Sequence, residues 1–322
     1  MRYGLLATAV LLAACTHAER RVAKSGDERD QQPDVRRVAS IANFRSPESV
    51  RYDAEQDVWF VSNIAGFGSD KDGRAYIVRI RADKLDSMSV FAISGVNGVQ
   101  LDAPKGMAIQ GDTLWVADID QVRGFNRKTG APVGTIDFRS HKPTMLNDVA
   151  LAPDGTLRVT DSGILMTDKG ILRPGGDKIF AVGPGRAITI LQSGVQLGEP
   201  NGISWDSAGK RWIVVGFKRF NARVDAWPAD FSKATTLYSG DGGQFDGVEI
   251  LPGGAVVYTS WTDSSLHVVA DGKDRKLVRF VPEGADIGYD TKRGIIAIPL
   301  AMMDHVEFYA LPTSLTGRAG AR

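Results

Sequence analysis

Leu146-Asn147-Asp148-Val149-Ala150-Leu151-Ala152, then Pro153-Asp154-Gly155, then Thr156-Leu157-Arg158-Val159-Thr160-Asp161 reads as strand, tight turn, strand. An Asp-Gly pair between two alternating runs is hairpin chemistry, because glycine takes the positive φ such turns require. Two more β-rich runs follow, Lys178-Ile179-Phe180-Ala181-Val182 and Ala187-Ile188-Thr189-Ile190-Leu191. Four short strands in succession form the blade of a propeller.

The same grammar recurs along the chain. Copies of the leading motif are Glu48-Ser49-Val50, Lys105-Gly106-Met107, Asn147-Asp148-Val149, Asn201-Gly202-Ile203, Asp246-Gly247-Val248 and Ala285-Asp286-Ile287. Their spacing of about 40 to 55 residues is that of propellers and comparable repeat arrays. The sixth unit has only Val306-Glu307-Phe308-Tyr309-Ala310 before the end, so it lacks a fourth strand. Arg37 to Asn43 has the character to supply it, and closing the ring this way removes open sheet edges. The expectation is an all-β chain, a six-bladed β-propeller over residues 37–312 closed by an N-terminal strand that completes the last blade, with a flexible tail at 313–322.

Composition agrees with a folded body: 43% of residues are hydrophobic, 24% are charged, and 36 glycines suit a fold with many turns. A net charge of +1 with no basic stripe argues against nucleic acid as a partner. At the N-terminus, Met1-Arg2-Tyr3 precedes a short apolar run from Leu5 to Ala14 that ends at Cys15. This is a signal-peptide pattern, too short to span a bilayer. Leu12-Ala13-Ala14-Cys15 resembles a bacterial lipobox, in which the cysteine is acylated, and Cys15 is the single cysteine. Residues 1–15 are therefore expected to be a lipoprotein signal and 16–36 a flexible polar tether. The expected location is the bacterial cell envelope, with the protein anchored in the outer membrane and facing the periplasm; an ordinary secretory signal, giving a periplasmic or secreted protein, is the alternative.

In a propeller the first strand of each blade lines the central channel, so the leading residues of the six copies should meet at one face. They are Glu48, Lys105, Asn147, Asn201, Asp246 and Ala285. Two carboxylates and two amides make a hard oxygen set suited to Ca²⁺, or to Mg²⁺ or Mn²⁺, and not to Zn²⁺. Without a cation, the two carboxylates would repel and raise each other's pKa.

The ordered set Glu48, Asn147, Asn201 and Asp246, with Asn147-Asp148-Val149, Pro200-Asn201-Gly202 and Asp246-Gly247, resembles the senescence-marker-protein/gluconolactonase (regucalcin-like) family, related to the paraoxonases and diisopropylfluorophosphatase. The resemblance runs from about residue 40 to 311. It implies a calcium-type ion at the tunnel mouth and hydrolysis of lactones or related esters. By that resemblance Glu48, Asn201 and Asp246 are ligands, Asn147 is a ligand or substrate contact, and Asp246 is the candidate for activating water. Lys105 departs from the pattern. Either it swings aside to Asp118 or Asp120, or it meets an acidic substrate, or it stands in for the cation as in a metal-free, strictosidine-synthase-like propeller.

Second strands return to the ring face, which brings Asp118, Asp161, Phe217 and Trp261 to the mouth as candidate substrate contacts, in a polar pocket with the two aromatics as walls. His141, six residues before Asn147, is a second candidate base; His267 and His305 fall in outer strands. No Gly-x-Ser-x-Gly elbow or phosphate-binding loop is present. The competing class is a non-catalytic, envelope-anchored propeller serving as a binding or assembly module.

Overall fold

A computed structural model describes residues 34–317 except 241. The expected signal, lipidation site Cys15 and most of the expected tether lie outside the described residues. The body is a six-bladed β-propeller of four-stranded antiparallel sheets. Blade 1 holds Pro47–Asp53, Val58–Asn63, Tyr76–Arg81 and Lys84–Ile93; blade 2 holds Pro104–Gln110, Thr113–Asp118, Gln121–Asn126 and Pro132–Asp137. Blade 3 is Leu146–Leu151, Leu157–Asp161, Lys178–Val182 and Ile188–Ser193; blade 4 is Pro200–Asp206, Arg211–Gly216, Arg223–Pro228 and Thr235–Ser239. Blade 5 is Phe245–Ile250, Val256–Ser260, Ser265–Ala270 and Lys273–Arg279. In blade 6, Gly288–Asp290, Ile295–Leu300 and His305–Ala310 are joined by Arg36–Ile41, which pairs antiparallel with His305–Ala310. The N-terminal strand therefore closes the ring as expected.

The opening hairpin shows how local chemistry sets a blade. Gly155 takes φ +79°, Ala152 and Thr156 pair across the turn (2.8 Å), and Asp154 accepts the Thr156 amide (3.0 Å). Alternation then sends one face of each sheet against the next blade. Six apolar clusters result, one between each pair of neighbouring blades, including one in which Trp59 and Val61 of blade 1 meet Ala297 and Phe308 of blade 6. Each large side chain buried there, such as Trp59, Trp212 or Phe180, contributes roughly 1.5–3 kcal/mol.

Two departures from expectation stand out. The tail does not begin as a flexible segment: Thr313–Thr316 forms a helical turn, and Leu315 is buried among Leu311, Tyr289 and Ile296. Blade 3 also carries an extra hairpin, Leu165–Thr167 with Gly170–Leu172, between its second and third strands.

Candidate functional site

All six leading positions are buried, from 0% exposure at Lys105, Asn201 and Ala285 to 7% at Glu48. The strands that carry them break register at the same place. In blades 1 to 5 the pairing of first and second strands shifts between Pro47 and Ser49, Pro104 and Met107, Leu146 and Val149, Pro200 and Ile203, and Phe245 and Val248. A bulge inserts an unpaired residue and re-aims side chains, here at five ring slots. Second-strand hydroxyls stitch the bulges. The amides of Ser49, Asp148 and Gly247 donate to Ser62, Thr160 and Thr259 (2.9, 3.0 and 2.9 Å). Thr160 and Thr259 in turn donate to the carbonyls of Asn201 and Ala285, the ring residues of the next blade (2.7 and 3.0 Å). Inner strands also touch directly: a β-carbon on Gly106 would lie 2.6 Å from the Asp148 α-carbon, so this slot tolerates only glycine.

The ring's polar atoms are unusual in what they lack. Among the described residues, five buried carboxyl or amide oxygens accept no hydrogen bond: Glu48 Oε2, Asn147 Oδ1, Asn201 Oδ1, Asp246 Oδ1 and Asp286 Oδ1. Four belong to the expected ring, and the fifth follows Ala285. An unmet buried acceptor costs ~1–3 kcal/mol, and these four lie at equivalent slots where one cation could satisfy them together. Burial, followed by repulsion from Asp246, raises the Glu48 carboxyl well above the carboxylate range; burial and then Asp286 do the same to Asp246. No three His, Cys, Asp or Glu side chains among the described residues group as around a metal. The ring offers only two carboxylates and draws its other oxygens from asparagine. Hard oxygen donors, dry surroundings and two charges to neutralise fit a Ca²⁺-type cation.

Lys105 pairs with neither Asp118 nor Asp120. Its ammonium donates to the carbonyls of Gly68 (2.6 Å) and Ala103 (2.9 Å), and burial lowers its pKa against the opposing pull of Glu48, Asp118 and Asp246. Asp118 is occupied elsewhere: it accepts the amides of Asp102 and Ala103 and bonds Arg123 (3.1 Å). Asp120 pairs with Lys71 (2.5 Å). Asp161 likewise accepts the amides of Thr144 and Met145, with Lys178 3.3 Å away. Both carboxylates pin the loop that leads into their own blade's first strand, so the oxygens expected to contact substrate are engaged with backbone amides. His141 packs edge-on to Phe180 in the third strand of blade 3 and contacts Ser140, so the structure does not bring it to the ring. His267 and His305 lie in third strands, as expected.

Phe217 and Trp261 do meet, ring centroids 5.1 Å apart, and Trp261 donates to the Gly284 carbonyl (3.1 Å). They join Met145, Ile164, Met166 and Ile171 in one apolar cluster, so this side of the mouth is not the polar pocket expected. A second charged layer went unnoticed in the sequence reading. Ser49 Oγ donates to Asp286 Oδ2 (2.5 Å), Arg51 pairs with Glu249 (2.7 Å) and lies 3.9 Å from Asp286, and Asp148 accepts the Ile203 amide (2.8 Å). The signal was available in the second residue of each motif copy, which reads Ser, Gly, Asp, Gly, Gly, Asp. Size alone does not locate the site, since a cavity of about 750 Å³ lies by the hairpin turns at the other end of blades 3 and 4, beside Asp154, Trp205 and Trp212.

Residues 46–289 match the sequence model of the SMP-30/gluconolactonase/LRE-like region. No curated protein matches the chain in sequence. Among solved structures, a gluconolactonase of Xanthomonas campestris is 14% identical over 87% of this chain and 95% of its own, with a TM-score of 0.66. A luciferin-regenerating enzyme is 13% identical over 90% and 99%, TM-score 0.66. A chain of a nidogen/laminin complex is 18% identical over 74% and 80%, TM-score 0.56. At these identities the likeness establishes the fold alone.

Proposed function

The chain belongs to the SMP-30/gluconolactonase/LRE-like family, and on that premise we propose that it is a divalent-cation-dependent hydrolase of lactones or related esters, working at the tunnel mouth. The observation that carries the reading is the set of four buried, unpartnered oxygens on Glu48, Asn147, Asn201 and Asp246. These four residues would hold the cation, which when bound supplies Lewis-acid polarisation of a carbonyl oxygen. Asp246, next to Trp261 and deeply buried, takes the proton of an attacking water as general base. The bulges and the hydroxyl stitches hold the ring oxygens in place before substrate arrives, and the apolar cluster keeps bulk water from that side of the mouth.

The observation that favours a metal-free alternative is Lys105, an ammonium already placed among Glu48 and Asp246. A lactone panel followed by acid release, with calcium or with chelator, separates the readings. Turnover that chelator abolishes and Asp246→Ala reduces by orders of magnitude supports the proposal; equal turnover in that variant removes Asp246 from the mechanism, and absence of turnover on any lactone or ester leaves a binding module. We also propose, from Leu12-Ala13-Ala14-Cys15, that Cys15 carries a lipid anchor. Cys15→Ser should then move the protein from the membrane to the soluble fraction.

A further inference from the structure

The residue that follows each second strand stands at the same level in every blade, at the mouth beside the ring. In order these residues are Ile64, Ile119, Ser162, Phe217, Trp261 and Ala301. Five of the six are apolar. They are tied closely to the ring: Phe217 donates its amide to Glu199, two residues before Asn201, and Leu146, beside Asn147, donates to Ile119 (2.8 and 2.7 Å). All but Trp261 are buried, and over blades 3, 4 and 5 they belong to a packed apolar layer whose partly exposed members are Trp261, Met166 and Ile171. Met145 lies two residues before Asn147, Phe217 and Trp261 stack edge to face, and the extra hairpin adds Met166 and Ile171, both only partly buried.

That hairpin is anchored across the mouth. Ser69, in the blade 1 loop, donates its amide to the Met166 carbonyl (3.1 Å) and accepts the Met166 amide on its hydroxyl (2.9 Å). The preceding residue, Gly68, receives the Lys105 ammonium. Lys105 thus ties the loop that holds the hairpin, through Gly68, to the entry of its own strand, through Ala103. The two acids at this level, Asp118 and Asp161, are consumed by backbone amides and neighbouring cations. A ligand at the mouth would meet oxygen atoms from the ring on one side and hydrocarbon on the other.

Resting on the hydrolase reading above, we propose that the substrate class is a lactone with an apolar alkyl or aryl substituent, not a polyhydroxylated sugar lactone. The ester group faces the ring oxygens, and the substituent packs against Trp261, Met166 and Ile171. Each hydroxyl of a sugar lactone would lose its water against these side chains and gain no partner. An alkyl chain gains affinity instead, by roughly fourfold for each methylene buried.

The test has two arms. In the first, kcat/KM is measured with the cation-loaded protein on δ-lactones with alkyl substituents from methyl to hexyl, and on glucono-δ-lactone. We expect kcat/KM to rise along the alkyl series and the hexyl lactone to exceed the sugar lactone by about 10²-fold. In the second, calorimetry compares binding of hydrolysis-resistant lactams of the same two kinds, so the preference is read without turnover. If no lactone is cleaved but the hexyl lactam binds more tightly than the hydroxylated one, the ligand class stands and the hydrolase reading falls. If the sugar lactone is cleaved as well or better, the hydrolase reading stands and the class is overturned; if neither lactam binds, the class is overturned too. Ile171→Asn, on the partly exposed hairpin, should cut affinity for the hexyl lactam several-fold and leave the methyl one unchanged. Equal affinities in that variant would also overturn the assignment.

Discussion

Replacing Lys105 by methionine should move two quantities in opposite directions. Methionine keeps the apolar stem but removes the ammonium, which leaves the Gly68 and Ala103 carbonyls without their donor. Each stranded acceptor costs ~1–3 kcal/mol. Relief from burying a charge offsets part of this, so the cation-free protein should lose ~1–4 kcal/mol. The Tm should fall by ~2–4 °C for each ~1 kcal/mol lost. Cation affinity should rise, because Lys105 presents a like charge to anything held by Glu48 and Asp246. At an effective dielectric constant of about 20, a unit charge and a dication ~8 Å apart interact by ~4 kcal/mol, and carbonyl dipoles and the ring carboxylates screen most of that. A tightening of about tenfold, ~1.4 kcal/mol, is the expected scale. Differential scanning calorimetry on chelated protein gives the first quantity, and calcium titration calorimetry gives the second. Unchanged or weaker calcium binding in Lys105→Met would refute the placement of this charge in the ring.

Further expectations concern the supports of the ring and a separate buried cluster. Thr160→Val removes the hydroxyl that accepts the Asp148 amide and donates to Asn201, so it should cost ~1–3 kcal/mol in urea denaturation and weaken calcium binding; loss of stability with unaltered calcium affinity would make the stitch merely structural. Gly242 is the kind of site where nothing comparable should happen: Gly242→Ala meets no atom within 4 Å and should change stability by less than ~0.5 kcal/mol. In blade 5, His267 bonds Asp274 through Nδ1 (2.9 Å) and Asp263 through Nε2 (3.0 Å), with Lys276 on Asp263 (2.7 Å) and the Tyr258 hydroxyl on Asp274 (2.8 Å). Burial works against the imidazolium, but the two carboxylates outweigh it and raise its pKa above 6.5. The stability this gives is complete below the unfolded value of about 6.5 and is lost as pH rises through the raised folded value. Urea midpoints should decline over that window in the parent protein and stay flatter in His267→Gln; parallel profiles would contradict the assignment.

Much of the fold was legible because propellers repeat. Pro153-Asp154-Gly155 between alternating runs announced one hairpin, the other units followed its pattern, and a sixth unit one strand short pointed to Arg37 to Asn43, where the strand Arg36–Ile41 forms. The ring slots were legible for the same reason, since equivalent residues of equivalent strands share a height. What escaped was decided by contacts between blades. Asp118 and Asp161 looked like free carboxylates at strand ends, yet the amides they accept come from the loop before the first strand, a pairing that only the folded blade reveals. Lys105 found carbonyls instead of acids because Gly68 arrives from a neighbouring blade's loop. Leu165–Thr167 and Gly170–Leu172 are three residues each, too short for an alternating pattern to register, and so the hairpin that bounds the mouth was missed. Thr313–Thr316 sits after a proline in a polar stretch, and its one buried anchor, Leu315, gives no period.

The central claim, that the ring oxygens await a hard divalent cation, is tested most directly by thermal melting of the protein with chelator and with saturating calcium. A ligand that binds only the folded state at about 100 times its Kd adds ~2.7 kcal/mol, which should raise Tm by several degrees. Glu48→Gln and Asp246→Asn should show much smaller rises. A Tm that is the same in chelator as in saturating calcium, magnesium or manganese would contradict the account.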